Sequence, residues 1–411
     1  MINAVWLLFS ALGFLWGNGI YGHIFVPVIV LAWLSAPNRT CAWLLMLLYY
    51  LAAARGVPFG YRIYETLNPG EVSGYLLWFA ACAALSLPWA LLWKHHSQRK
   101  FAESFIRLLC VMLLISVPPI GIVGWTNPIM YGAAWYFPGT GFIGILLTMV
   151  VLVCVQTLFL SKKYEWSLRW QKNMVSMLAL FVLLSMILNV KTEAVKQSSM
   201  SAVASEWQGV DTNIGGIEGK EGFEALNACL DYVIYKATTG KHAFVLMPEF
   251  ASFRWDDLTN MTLSVMEKEL AAQGVTVIIN AQGKGENSGS YDNEMRAFGK
   301  NSGYVYRQRF PPPVGMWRPW TKGWTRAHWL DSGIWQYMDR NGHNKKAACL
   351  ICYEQLLVMP VVVSMLFKPD IIIAQENHWW SRYTSIPNCS REAVTLVGRL
   401  FGVPVVTARN V

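Results

Sequence analysis

The chain has 411 residues, of which 54% are hydrophobic and 14% charged, with 20 tryptophans and a net charge of +9. That composition excludes a disordered polymer and a small disulfide-stapled domain; it is that of a membrane protein long enough for two domains. Much of the basic charge lies in short segments between apolar runs, which fits membrane topology and gives no reason to expect direct nucleic-acid binding.

Apolar runs at roughly 3–20, 22–36, 41–54, 74–93, 104–124, 141–160 and 174–190 predict about seven membrane spans and a transmembrane domain over 1–190. A crossing helix needs about 20 apolar residues, so 41–54 is the weakest of them. The first run lacks a basic leading segment and a small-residue cleavage site, and it is expected to be retained. The loops "KHHSQRK" at 94–100 and "SKKYEWSLRWQKN" at 161–173 are basic, whereas "WTNPIMYGAAWYFPGTG" at 125–141 has no charge. Lysine and arginine collect on the cytoplasmic side, so the amino terminus is expected inside and everything after the seventh span outside. In a bacterial inner membrane that places the polar half in the periplasm. His95 and His96 read as solvated interfacial residues. No run carries an acidic residue near its centre, which counts against a transporter. Cys41, Cys82, Cys110 and Cys154 sit in the runs as small hydrophobes, without a disulfide framework.

A juxtamembrane linker is expected over 191–212, and from 213 to 411 the pattern changes. "EGFEALNACLDYVIYKAT", "LSVMEKELAAQ" and "REAVTLVGRLFG" read as helices; "HAFVLMPEF", "VTVIINAQ", "GYVYRQRF", "KAACLICYE", "DIIIAQEN" and "VPVVTARN" read as strands. Alternation of this kind, with continuous apolar strands, predicts an α/β domain whose sheets are covered by helices.

Two of these strands end in chemistry. Glu249 follows "FVLMP" and Cys352 follows "ACLI", and the carboxyl ends of strands are where α/β folds bind ligands. A carboxylate beside a thiol can act as its base, and the thiolate is the nucleophile of acyl transfer. Alone, each also reads blandly, as a turn carboxylate and a buried thiol. Cys349 and Cys352 form a C-x-x-C pair, but in a strand residues three apart face opposite ways, and Cys389, His343 and His378 lack zinc-site spacing. No metal and no cofactor is expected.

"LMPEF", "YVYRQRFPPPVGMWRPW", "LICYEQLL" and "ENHWW", in this order, resemble the carbon–nitrogen hydrolase (nitrilase) superfamily. Within it the chain is most similar to the apolipoprotein N-acyltransferases and the TraB-type conjugal transfer proteins of plasmids. The resemblance implies an α-β-β-α sandwich behind the membrane domain and a Glu, Lys, Cys triad, with Glu249 as base and Cys352 as thioester-forming nucleophile. Tyr353 and Glu354 match the "C-Y-E" after the nucleophile and, with Gln308, are implied to position the substrate or its oxyanion. Tyr306, Pro313, Gly315 and Pro319 keep the family frame, but Gln308 stands at the lysine position and Met316 at that of a second glutamate. A glutamine supplies no positive charge. Lys322, in "RPWTKGW", is the expected substitute, with Arg307 and Arg309 as alternatives. The family pattern continues beyond the point where this sequence ends, at Val411.

The expected function is that of a membrane-bound acyltransferase or amidohydrolase in plasmid conjugation. Its expected partners are the bilayer, a lipid or acylated substrate and proteins of the conjugation machinery. The alternative is a degenerate nitrilase fold retained as an assembly factor.

Overall fold

The computed structural model describes residues 4–67, 73–95, 100–161, 168–198, 200–215, 231, 235, 242–249, 267–285 and 289–411. The helix expected over 221–238, apart from Asp231 and Tyr235, and positions 162–167 and 96–99 lie outside the described residues.

The first half is helical, with α1 Ala4–Leu7, α2 Val28–Leu34, α3 Arg39–Ala53, α4 Val57–Leu67, α5 Gly74–Leu91, α6 Phe101–Ser116, α7 Pro128–Tyr136, α8 Phe142–Ser161 and α9 Leu168–Ser198. Three of these, α5, α8 and α9, contain stretches long and apolar enough to cross a bilayer (Gly74–Leu91, Phe142–Phe159 and Arg169–Glu193). Of the seven expected spans the other four are shorter or interrupted, and the interruptions have identifiable causes. The run 3–20 winds into a 3₁₀ helix, Leu8–Leu15, and stops at Gly17 and Gly19, whose φ angles of 80° and 110° suit glycine. Pro27 divides the run 22–36, and α6 ends before the Pro118–Pro119 pair, because a proline disfavours helical geometry in the residue before it. With 15 residues, α3 is about 22 Å long, less than a hydrocarbon core of about 30 Å.

Part of the uncharged segment 125–141 is itself a helix. Asn127 caps α7 by accepting from the backbone N–H groups of Ile129 and Met130, and Pro128 sits at its first position.

The segment read as a linker carries the end of α9, then α10 (Met200–Ser205) and β1 (Trp207–Gly209). The remaining strands are β2 Phe244–Leu246, β3 Thr276–Lys284, β4 Ser290–Gly299, β5 Gly303–Arg307, β6 Trp324–Thr325, β7 Ile334–Met338, β8 Asn344–Ile351, β9 Ile371–Asn377 and β10 Val405–Asn410. They form two sheets. One runs β1-β2-β3-β4-β5, with β6 on β4; the other runs β10-β9-β8-β7. Alternation splits β8 between two cores: Ala347, Cys349 and Ile351 pack between the sheets with Phe244, Ile278 and Met295, and Ala348 and Leu350 point outward.

Helices α11 (Val358–Leu366) and α12 (Ile386–Phe401) cover that outward face. The same apolar core continues from α12 into the first half, through Trp16, Ile129 and Ala133. Polar contacts fix the junction. Glu392 on α12 accepts from the backbone N–H groups of Gly17 at 2.8 Å and Gly19 at 2.6 Å, and His23 Nε2 lies 2.9 Å from it. Arg399 donates to the Ala134 carbonyl at 3.0 Å and pairs with Glu193 at 2.8 Å.

Candidate functional site

Strand β8 ends in a sharp turn. Cys352 adopts φ of 49°, unusual for a residue with a side chain, and opens a 3₁₀ turn, Cys352–Leu356. The turn is held from inside by Glu354, which is fully buried. Its carboxylate accepts from Ile351 N–H at 2.9 Å, Tyr306 O–H at 2.7 Å, Arg309 N–H at 2.6 Å and Phe310 N–H at 3.0 Å. Glu354 therefore braces the Cys352 turn against the chain that follows β5.

Glu249 follows β2 and is 1% exposed. Its backbone is pinned by its neighbours: Met247 N–H donates to Ile278, and the Met247 carbonyl accepts from Gln375 of the other sheet at 2.7 Å. Asn293, on β4, donates to Glu249 Oε1 at 2.7 Å, while Oε2 accepts no hydrogen bond from protein N–H or O–H groups among the described residues. The carboxylate lies against the Cys352 thiol. Burial lifts the Glu249 carboxyl to about 7, against the opposing pull of Asn293 and the thiol. The thiol is pushed well above its ordinary range by burial and then by Glu249, with the Asn377 backbone N–H working the other way. Cys352 is thus a thiol at rest, and the nearby carboxylate titrates in the range useful to a general base.

Gln308 occupies the lysine position beside this pair and is fully buried. Its Oε1 accepts from Asn293 at 2.9 Å and its Nε2 donates to the Ile351 carbonyl at 3.1 Å, just before the nucleophile. Lys322 is not brought to the site: it is exposed and lies on a loop beside Gly289, and no contact joins it to Glu249, Gln308 or Cys352 among the described residues. Arg307 turns toward Asp292 and Glu294, at 3.4 and 3.5 Å. Arg309 is spent on Tyr306, Ser332 and Ser364. Among the described residues no group of three or more His, Cys, Asp and Glu side chains could hold a metal, and Cys349 and Cys352 are unpaired thiols.

Cys352 opens into a cavity of about 120 Å³ between the two halves of the chain. Val57, Tyr61, Leu77 and Trp125 wall it from the apolar half; Pro312, Leu356, His378 and Trp380 wall it from the other. Tyr353 also faces it, donates to the Ile122 carbonyl at 2.8 Å and stands edge-on to Trp125, so it ties the nucleophile turn to the helices.

Sequence reasoning missed Asn293 and His378 as site residues. Asn293 lies in a strand too polar to be read as one, although its Nδ2 reaches Glu249 and Gln308 and its Oδ1 accepts from Asn280 at 2.8 Å.

Residues 268–399 match the family model described as carbon-nitrogen hydrolase. The conjugal transfer protein TraB of Agrobacterium fabrum is 29% identical over 393 residues, covering 92% of this chain and 86% of the relative. The probable conjugal transfer protein TraB of Sinorhizobium fredii is 29% identical over 385 residues, covering 92% and 90%. Among solved structures, an amidase from Nesterenkonia sp. AN1 aligns with 49% of this chain and 73% of its own, at 10% identity and a TM-score of 0.32. A carbon-nitrogen hydrolase from Helicobacter pylori G27 aligns with 49% and 71%, at 14% identity and a TM-score of 0.35. Residues 268–399 thus match the carbon–nitrogen hydrolase family, behind an apolar helical half, in a chain similar over most of its length to TraB conjugal transfer proteins.

Proposed function

We propose that the protein is a membrane-bound acyltransferase or amidohydrolase of plasmid conjugation, working through a thioester on Cys352. The observation that carries this reading is the placement of Cys352: its thiol meets a buried carboxylate on one side and an apolar cavity, walled by the helical half, on the other. A cavity with such walls suits an acyl chain or another lipid-like group.

In the first step the Cys352 proton passes to Glu249 as sulfur bonds to the acyl carbon, and the carbonyl π pair moves onto oxygen. The pair then returns, the bond to the leaving group breaks, and the leaving group takes the proton from Glu249. An amine or water, deprotonated by the same carboxylate, next attacks the thioester and releases the thiol.

The full chain in detergent micelles, treated with p-nitrophenyl octanoate, should gain one octanoyl group on Cys352 by intact mass, and Cys352→Ala should gain none. Equal labelling of the two proteins defeats this reading. A second reading, an assembly factor without turnover, is favoured by the uncharged Gln308. It is the better one if conjugation frequency is the same in wild-type and Cys352→Ala cells.

Several passes through an inner membrane, with the hydrolase domain in the periplasm, complete the proposal. Its support is the basic loops at 94–100 and 161–173 and the three long apolar helices. Alkaline phosphatase fused after residue 205 should be active and fused after residue 168 inactive; the reverse pattern refutes the topology.

A further inference from the structure

Addition of a thiol to a carbonyl builds negative charge on the carbonyl oxygen, and a donor that meets that charge typically contributes about 10²–10³ in rate. The cations flagged in the sequence do not reach the reacting sulfur: Lys322 is exposed elsewhere, Arg307 faces Asp292 and Glu294, and Arg309 is held by Tyr306 and Glu354. Gln308 is adjacent but neutral. One imidazole lines the cavity with Cys352 among the described residues, that of His378.

Its position follows from the sheet. β8 and β9 run parallel and their register ends with Ile351 opposite Gln375, so Cys352 turns off β8 just past that pair while β9 continues through Glu376 to Asn377, with His378 directly after it. The His378 N–H donates to the Asn410 carbonyl at 2.7 Å, which fixes the backbone as the chain enters the turn Trp379–Ser381. His378 is 2% exposed; its Nε2 stands 3.0 Å from Glu376 Oε2 without completing a hydrogen bond, and its Nδ1 lies 3.5 Å from Ser381 Oγ. Glu376 is fully buried, and neither of its oxygens accepts a hydrogen bond among the described residues. A buried carboxylate without donors demands a cation, and the ring is the group placed to be one. Glu249, beside the Cys352 thiol, is close enough to the same ring to feel its charge, and Cys352 and His378 both line the cavity.

We propose that His378, ion-paired with Glu376, is the cationic hydrogen-bond donor of the reacting centre and supplies the charge that Gln308 cannot. The proposal rests on the thioester reading above. As the Cys352 sulfur bonds to the acyl carbon, the π pair moves to oxygen and an imidazolium N–H donates to that oxygen without giving up its proton. When the pair returns and the leaving group departs, the hydrogen bond is released; the mobile proton is the one carried by Glu249.

The test is the rate of octanoyl transfer from p-nitrophenyl octanoate to Cys352 in the full chain, with thermal melts as the fold control. His378→Gln is expected to slow it about 10²–10³-fold, and Glu376→Gln, which leaves the ring in place, about tenfold. Adding Gln308→Lys to His378→Gln should recover at least tenfold, because the charge then arrives from the neighbouring position; a packing role for the imidazole would show no such rescue. His378→Gln acylating within about threefold of wild type overturns the proposal, as does an unrescued loss with an unchanged melt. Wild type without Cys352-dependent acylation overturns the thioester reading as well, so the two failures are distinguishable.

Discussion

Glu249→Gln is expected to slow acylation of Cys352 by about 10²–10⁴, the usual contribution of a general base, and at the same time to raise the melting temperature. The second effect follows from the titration. The unfolded chain ionises this side chain at about 4.3, whereas the folded chain holds its proton up to about 7 because the group is buried. Between those values the native state binds the extra proton, so stability is lost as pH rises through this window and the full cost is present above it. Glutamine has no proton to lose and keeps an oxygen for Asn293 to reach. The melting-temperature gap between Glu249→Gln and wild type should therefore be wider at pH 8 than at pH 5. Thermal melts at the two pH values, paired with intact-mass acylation, measure both effects; a gap that does not change with pH refutes the assigned titration.

Glu354→Ala is expected to cost about 3–5 kcal/mol, the range for breaking a buried ion pair on one side. It would strip the acceptor from two backbone N–H groups after β5, from Ile351 N–H and from Tyr306, and leave Arg309, 3.8 Å away, without its counter-charge. Replacing both charges, as Glu354→Leu with Arg309→Met, should recover only the part due to the stranded guanidinium, because the three backbone N–H groups and Tyr306 still lack their acceptor. Denaturant unfolding in detergent checks both. A stable Glu354→Ala protein with no acylation would instead assign this carboxylate to the substrate, the role implied by family resemblance.

Six strands of the second half, β2, β3, β5, β8, β9 and β10, were legible from their apolar and aromatic runs, and Glu249 and Cys352 because each follows such a run. β4 was not. "SYDNEMRAFG" contains residues of poor strand propensity, and it forms a strand because each polar side chain finds a partner. Asp292 meets Arg326 and His328, Asn293 meets Glu249 and Gln308, and Glu294 meets Arg296. Those donors against Asp292 outweigh its burial and hold its carboxyl at about 2. Such compensation comes from residues 2 to 44 positions away and leaves no periodic trace. The distance of Lys322 along the chain from Glu249 and Cys352 likewise did not fix where its loop would go. The helix α7 did leave a signal, an asparagine before a proline, which composition alone obscured.

The contact between Gly17 and Glu392 spans 375 positions. At a synthesis rate of 5–20 residues per second, roughly 20–75 s separate the making of the two ends of that bond. Until residue 392 emerges, the turn at Gly17–Gly19 lacks its acceptor and Trp16 lacks part of its packing. The turn at Gly17–Gly19 is therefore completed only by α12, so this part of the assembly runs against the direction of translation. A ribosome stalled between the end of α9 and α12 holds an apolar half that is fully made and not yet closed.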